Sequence, residues 1–163
     1  MYRLPFMSFA PLGFAAAMLG AVEGAYESFR DWMRERTTVT GARAADTPSV
    51  QVRLSWVAAD LDAALLLMQR AVAAAEAQEP PTVEVRARTM RDAARISSLV
   101  TVAVDELLAM SGTAGFATGK VIQRTWRDVH FASSYISLSA EINCAHWGRL
   151  ELGVERPATL FMY

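Results

Sequence analysis

Between Gln123 and Arg149 the chain gathers both of its histidines together with arginines, serines, a tyrosine and two tryptophans. Arg127, His130, Ser134, Ser137 and Glu141 recur at spacings of three and four, which would align them as one stripe on a continuous helix. Trp126, Val129, Ser133, Ile136 and Ala140 would form the stripe beside it. One chemistry for such a helix is a ligand wall. Its guanidinium would take an anionic or carbonyl group, with imidazole, hydroxyl and phenol close by. The plainer alternative pairs Arg127 and Asp128 with surface or interhelical charges and returns the serine hydroxyls to backbone carbonyls. Spacing alone leaves both open.

Several other chemistries are excluded by type and spacing. His130 and His146 have no carboxylate or thiolate at ligand spacing, so they do not make a metal pair. No Ser-His-Asp arrangement, carboxylate pair or dinucleotide glycine signature occurs. Gly115 and Gly119-Lys120 are too close for a phosphate loop, and Val121 stands where a hydroxyl would meet magnesium. A net charge of −1 without a charged tail leaves no footprint for nucleic acid. The single cysteine, Cys144, rules out an internal disulfide, fits a reducing cytoplasm and is expected to pack.

The elements that must hold these residues read as long helices. The 163 residues suit one domain with a real core, and their 53% hydrophobic content is dominated by helix formers. Leu4 to Val22 carries no charge, as a membrane span or leader would. Pro5, Pro11 and a period running past Glu23 favour instead an extended lead-in over residues 1–10 feeding a buried helix from Pro11. That helix places Phe14, Met18, Val22, Ala25, Phe29 and Trp32 on one face, with Gly20 and Gly24 suited to a close helix approach. Thr47-Pro48 starts a second helix, whose Leu54, Val57, Leu61, Ala64, Met68 and Ala71 repeat over three heptads. It stops before Glu79-Pro80-Pro81. A third helix opens at Thr82, charged at first and apolar nearly all round after Ile96 apart from Asp105 and Glu106, and ends at Ser111-Gly112. A fourth carries the stripes, and Ser137 or Ser139 can cap a further segment from Ala140 to about Leu150. The expected architecture is an all-α, up-down-up-down four-helix bundle over residues 11–153, with a tail over 154–163.

Gln123-Arg-Thr-Trp-Arg-Asp-Val-His-Phe-Ala-Ser-Ser, followed by Trp147-Gly-Arg-Leu-Glu-Leu-Gly, resembles the C-terminal helical domain of acyl-CoA dehydrogenase-like flavoproteins. It is nearest the two-component flavin-dependent monooxygenases of the phenol hydroxylase type. Leu12-Gly-Phe-Ala-Ala-Ala, Arg34-Glu-Arg-Thr and Val50-Gln-Val-Arg-Leu resemble the family's first two bundle helices. The resemblance implies a bundle that follows an N-terminal helical domain and a middle β-domain, neither in these residues, so that either a longer enzyme or a partner chain is expected to supply them, and that sits at the centre of a homotetramer. It also implies reduced FMN or FAD supplied by a separate reductase, and oxygen transfer to a small aromatic substrate. Under it, Ser134 and Tyr135 stand at catalytic positions. Arg36, Arg124, Trp126, Arg127, Asp128, His130 and Ser133 are the implied cofactor-binding residues. Tyr135 departs from the histidine of many hydroxylases, and a phenol donates a hydrogen bond without titrating near neutrality.

The dehydrogenase branch carries a glutamate in a Tyr-Glu-Gly-Thr-like turn where this chain has Tyr135-Ile136-Ser137. That favours oxygenation and leaves an acyl-CoA dehydrogenase fragment as a third reading. The second is a non-catalytic, self-associating bundle with a disused flavin site. It draws on Tyr135 and on Leu108, which stands about where the dehydrogenases have a flavin-contacting glutamine. The expected location is the cytoplasm, without membrane or nucleic-acid contact.

Overall fold

In a computed structural model the described residues are 6–77 and 79–155. Five helices follow one another: α1 (Phe6–Glu35), α2 (Pro48–Glu76), α3 (Val83–Ser111), α4 (Val121–Ser133) and α5 (Ala140–Leu152). Short 3-10 turns fill Ala44–Asp46, Gly112–Phe116 and Ile136–Leu138. Among the described residues there is no strand, only an isolated antiparallel bridge from Thr37 to Arg43. The all-α expectation holds.

α3 is the hub and packs against α1, α2, α4 and α5. Its Ile96, Val100, Ala103, Val104 and Leu107 are fully buried, facing Val22, Ala25 and Phe29 of α1 and Val57 and Ala64 of α2 in one core. Burying one such side chain contributes about 1.5–3 kcal/mol, so this seam dominates the fold's stability. α1 and α3 are each long and apolar enough to cross a membrane by length and composition, yet both turn much of that apolar surface into this core. The charged first half of α3 contributes to the interior too, with Met90, Asp92 and Ala93 buried there. Asp92 is only 2% exposed and is held by Arg70 from α2 (2.6 Å) and by its neighbour Arg91 (2.8 Å). The Arg91 guanidinium lies 4.3 Å from the centre of the Trp147 ring, which ties α5 to the same network.

The helix ends follow sequence chemistry. The Thr82 hydroxyl accepts from the Val85 amide at 3.3 Å, as an N-cap should. Thr47 occupies the N-cap of α2 before Pro48, but its side chain makes no capping bond. Gly153 adopts φ 64 at the end of α5, and the Val154 amide reaches back to the Arg149 carbonyl at 2.9 Å.

Four expectations need correction. Residues 6–10 are helical rather than an extended lead-in, with residues 1–5 outside the described set. Pro11 therefore lies inside α1, where it costs one intrahelical bond. Burial of Leu12 and packing of Phe9 against the core offset that loss. Gly20 and Gly24 face open space, so they serve no close helix approach in this chain. Cys144 is exposed rather than packed. Finally, the fourth helix is broken. The Ser133 and Ser134 hydroxyls bond the His130 and Phe131 carbonyls at 3.0 and 2.7 Å, competing with the helical ladder. Tyr135 is extended, and a new helix starts only at Ala140. Ser137 and Glu141 thus leave the stripe begun by Arg127 and His130.

Candidate functional site

α4 turns Ile122, Thr125 and Val129 into the core, which fixes where its remaining side chains go. Trp126 and His130, one turn apart, meet Asp105 of α3. Trp126 Nε1 donates to Asp105 Oδ1 at 2.7 Å, and His130 Nε2 lies 2.8 Å from the same oxygen. The two rings pack at 4.6 Å between centroids with their planes 50° apart. These contacts seat the α4 side chains on the rigid hub helix.

On the outer face, Arg124, Arg127 and Asp128 are exposed, and their side chains make no hydrogen bond or ion pair among the described residues. Among the described residues, the ion pairs that the plainer alternative gives Arg127 and Asp128 are not formed. Two unengaged guanidiniums one turn apart form a donor set suited to phosphate or another anion. Phe131, 83% exposed, lies beyond them at the C-terminal end of the same face.

At the end of α4, Ser133 and Ser134 give their protons to their own helix, as above, which leaves their oxygens as acceptors. Tyr135 follows, 49% exposed, with its ring 4.7 Å from that of Phe14 on α1. Phe14 was expected in the core and is 43% exposed, forming the floor beneath Tyr135. Ile136, 57% exposed, continues this apolar corner. The corner brings the Tyr135 phenol onto the Phe14 ring, with the two serines directly before it in the chain. It can hold one edge of a planar polar ligand, and the residues present fit a flavin and an aromatic substrate as a partial wall.

Arg36 is not part of this corner. Its Nη1 donates to the Ser111 carbonyl at 3.0 Å, and its guanidinium lies 4.4 Å from the centre of the Trp32 ring. Trp32 also lines a cavity of about 120 Å³ with Ser28, Gly115, Lys120 and Ile122. That cavity sits at the start of α4, roughly 18 Å along the helix from its serine end at 1.5 Å per residue. No group of three His, Cys, Asp or Glu among the described residues could hold a metal ion.

Sequence reasoning missed Asp105 and Phe14. Two adjacent carboxylates, Asp105 and Glu106, interrupting an otherwise apolar helix half were the available signal for Asp105.

Comparison with known proteins places these features in context. The model for "Acyl-CoA dehydrogenase, C-terminal domain" matches residues 12–140, in agreement with the resemblance read from the sequence. The chain is 29% identical over 159 residues to HsaA, the oxygenase subunit of a flavin-dependent monooxygenase from Rhodococcus jostii, covering 94% of this chain and 42% of that protein. It is 29% identical over 168 residues to the oxygenase component of an FADH2-dependent resorcinol hydroxylase from Rhizobium, covering 95% of this chain and 41% of that one. Among solved structures, XiaF from Streptomyces, determined in complex with FADH2 and glycerol, superposes with a TM-score of 0.84. It is 26% identical, with 91% of this chain and 39% of XiaF covered. The chain thus spans about two fifths of the length of the curated relatives it matches.

Proposed function

Given that the chain belongs to the acyl-CoA dehydrogenase C-terminal domain family, we propose that it forms one wall of the flavin and substrate pocket of a flavin-dependent monooxygenase acting on a small aromatic substrate. The observation that carries this reading is Tyr135, half-exposed on Phe14 where α4 stops, directly after the serine pair. Ser134 and Tyr135 are the catalytic positions, where the Tyr135 hydroxyl can hold a proton against the reacting oxygen or the substrate. Arg124 and Arg127 are free to meet an anionic group of the cofactor, and Asp128 lies beside them. Trp126, His130 and Ser133 line the rest of the wall. Arg36 serves the cofactor only if its guanidinium leaves the Ser111 carbonyl or bridges outward from it. Reduced FMN or FAD, delivered by a separate reductase, supplies the reducing equivalents and the oxygen activation when bound. The remaining walls come from polypeptide outside these 163 residues. The bundle self-associates, as a homotetramer core, in the cytoplasm.

The test is anaerobic titration of the protein carrying this chain with reduced FMN and reduced FAD, followed by oxygen and a phenol. We expect binding of one reduced flavin and formation of a hydroxylated product. Ser134→Ala and Tyr135→Phe should lower product per flavin oxidised and raise hydrogen peroxide. Absence of reduced-flavin binding overturns the reading. It would favour a non-catalytic, self-associating bundle, a role consistent with serine hydroxyls spent on their own helix. Oxidation of an acyl-CoA with an acceptor dye would instead revive the dehydrogenase reading.

A further inference from the structure

We propose that Asp105 is the positioning residue of the α4 wall, holding His130 as its Nε2–H tautomer so that Nδ1 is offered as an acceptor to a phenolic hydroxyl. The inference rests on α4 being a ligand wall, and it names the chemical polarity of that wall. Trp126 Nε1 can only donate, so Asp105 Oδ1 is an acceptor in the 2.7 Å contact. The same oxygen lies 2.8 Å from His130 Nε2, and two acceptors would repel at that distance. Nε2 therefore carries the proton. In a neutral imidazole this leaves the lone pair on Nδ1. Nδ1 has no hydrogen-bond partner among the described residues, and the His130 side chain is 37% exposed. The Trp126 ring against the imidazole limits its rotation, so the lone pair keeps its direction. Asp105 is fixed in turn by α3, where its neighbours Val104 and Leu107 are fully buried. An aromatic alcohol brings the single O–H donor that such a site accepts. Asp105 itself already receives two donors on one oxygen and acts through the histidine.

The tautomer is read directly by long-range proton–nitrogen NMR of the two imidazole nitrogens of His130 in the protein carrying this chain, free of flavin. The spectrum is recorded at about pH 9, above the ordinary imidazole range. Wild type is expected to show Nε2–H. Asp105→Asn keeps the shape but can turn its amide N–H toward Nε2, so it should shift His130 to the Nδ1–H form. Trp126→Phe removes the other donor and should leave Nε2–H in place, which separates tautomer control from loss of packing. Phenol should move the Nδ1 resonance in wild type, and this response should be lost in Asp105→Asn. A wild-type Nδ1–H tautomer, an unchanged tautomer in Asp105→Asn or a changed one in Trp126→Phe overturns the assignment. No response to phenol, or a response only to reduced FMN, overturns the phenolic acceptor role. None of these readouts needs bound flavin or turnover, so failure here and failure of the monooxygenase reading are distinguishable.

Discussion

The Arg36 guanidinium, from just beyond α1, donates to the carbonyl oxygen of Ser111, the last residue of α3, at 3.0 Å. A positive charge at a helix C-terminus satisfies an orphan carbonyl and complements the helix dipole. The same group stacks on Trp32 at 4.4 Å, so one side chain locks the α1 end to the hub. Arg36→Ala should therefore cost about 2–4 kcal/mol, the sum of a charge-assisted hydrogen bond and a cation–π contact. Arg36→Lys should keep the charge and recover only part of this. Urea unfolding with an unchanged m-value checks both.

Ser111 is constrained from its other side too. A Cβ placed on Gly115 would lie 2.3 Å from the Ser111 Cβ, so Gly115→Ala cannot be absorbed by a side-chain rotation. We expect destabilisation of about 1–3 kcal/mol from overpacking. Ser111→Gly removes the obstructing carbon, so the double variant should be more stable than the sum of the two changes. A double-mutant cycle measures that coupling.

Asp92 offers a sharper contrast between exposed and buried charge. Its carboxylate is 2% exposed and accepts from Arg70 and Arg91, whereas the Arg70 side chain keeps 46% of its surface. Removing a buried partner typically costs about 3–5 kcal/mol, and the exposed arginine reduces this because water can solvate it once released. Asp92→Ala should lose roughly 2–3 kcal/mol by that reasoning. Arg91 would also lose its anchor over Trp147, so tryptophan fluorescence should change before global unfolding.

Thr82 and Glu84 make a pH-sensitive cap on α3. Glu84 has its carboxyl pKa lowered, first by its own backbone N–H and then by the Thr82 hydroxyl. A carboxylate favoured in the folded state contributes stability above its unfolded pKa and loses it as pH falls through the folded value. Thr82→Ala should cost about 1 kcal/mol near neutrality, and Glu84 should titrate closer to the ordinary carboxylate range. NMR titration of the Glu84 side chain tests the second effect.

The helices were legible in the sequence wherever periodicity met a strong stop. Thr82, Pro48, Gly112 and Gly153 mark real boundaries because capping and left-handed turns are local chemistry. The break after Ser133 was not legible, because spacings of three and four persist across it. The plainer reading did return the serine hydroxyls to backbone carbonyls, as observed for Ser133 and Ser134, but nothing local shows that the helix ends there. The α4 residues were found as a set, but their organisation depends on Asp105, 21 positions before Trp126. Such pairing depends on how α3 and α4 pack, which a linear spacing does not encode.

The outer face of α2 leads to the last prediction. Val52, Trp56 and Leu66 are 56%, 70% and 66% exposed, and together with Ala59 they fall within one narrow arc of the helix. The opposite arc, Val57, Leu61, Ala64 and Ala71, supplies the core, so α2 is apolar on both sides. A helix apolar on both sides is ordinarily covered on both, and a contiguous exposed stripe marks an association surface. If self-association uses this face, Trp56→Glu combined with Leu66→Glu should weaken it by placing charge in a desolvated contact. The monomer should hardly notice, since exposed substitutions away from caps and packing shift stability by about 0.5 kcal/mol or less. Sedimentation should then show wild type as an oligomer and the double variant near the 17.8 kDa monomer, with matching circular dichroism. An oligomer unchanged by both glutamates would move the interface to another face, and the exposed Gly20 and Gly24 edge of α1 is the next surface to test.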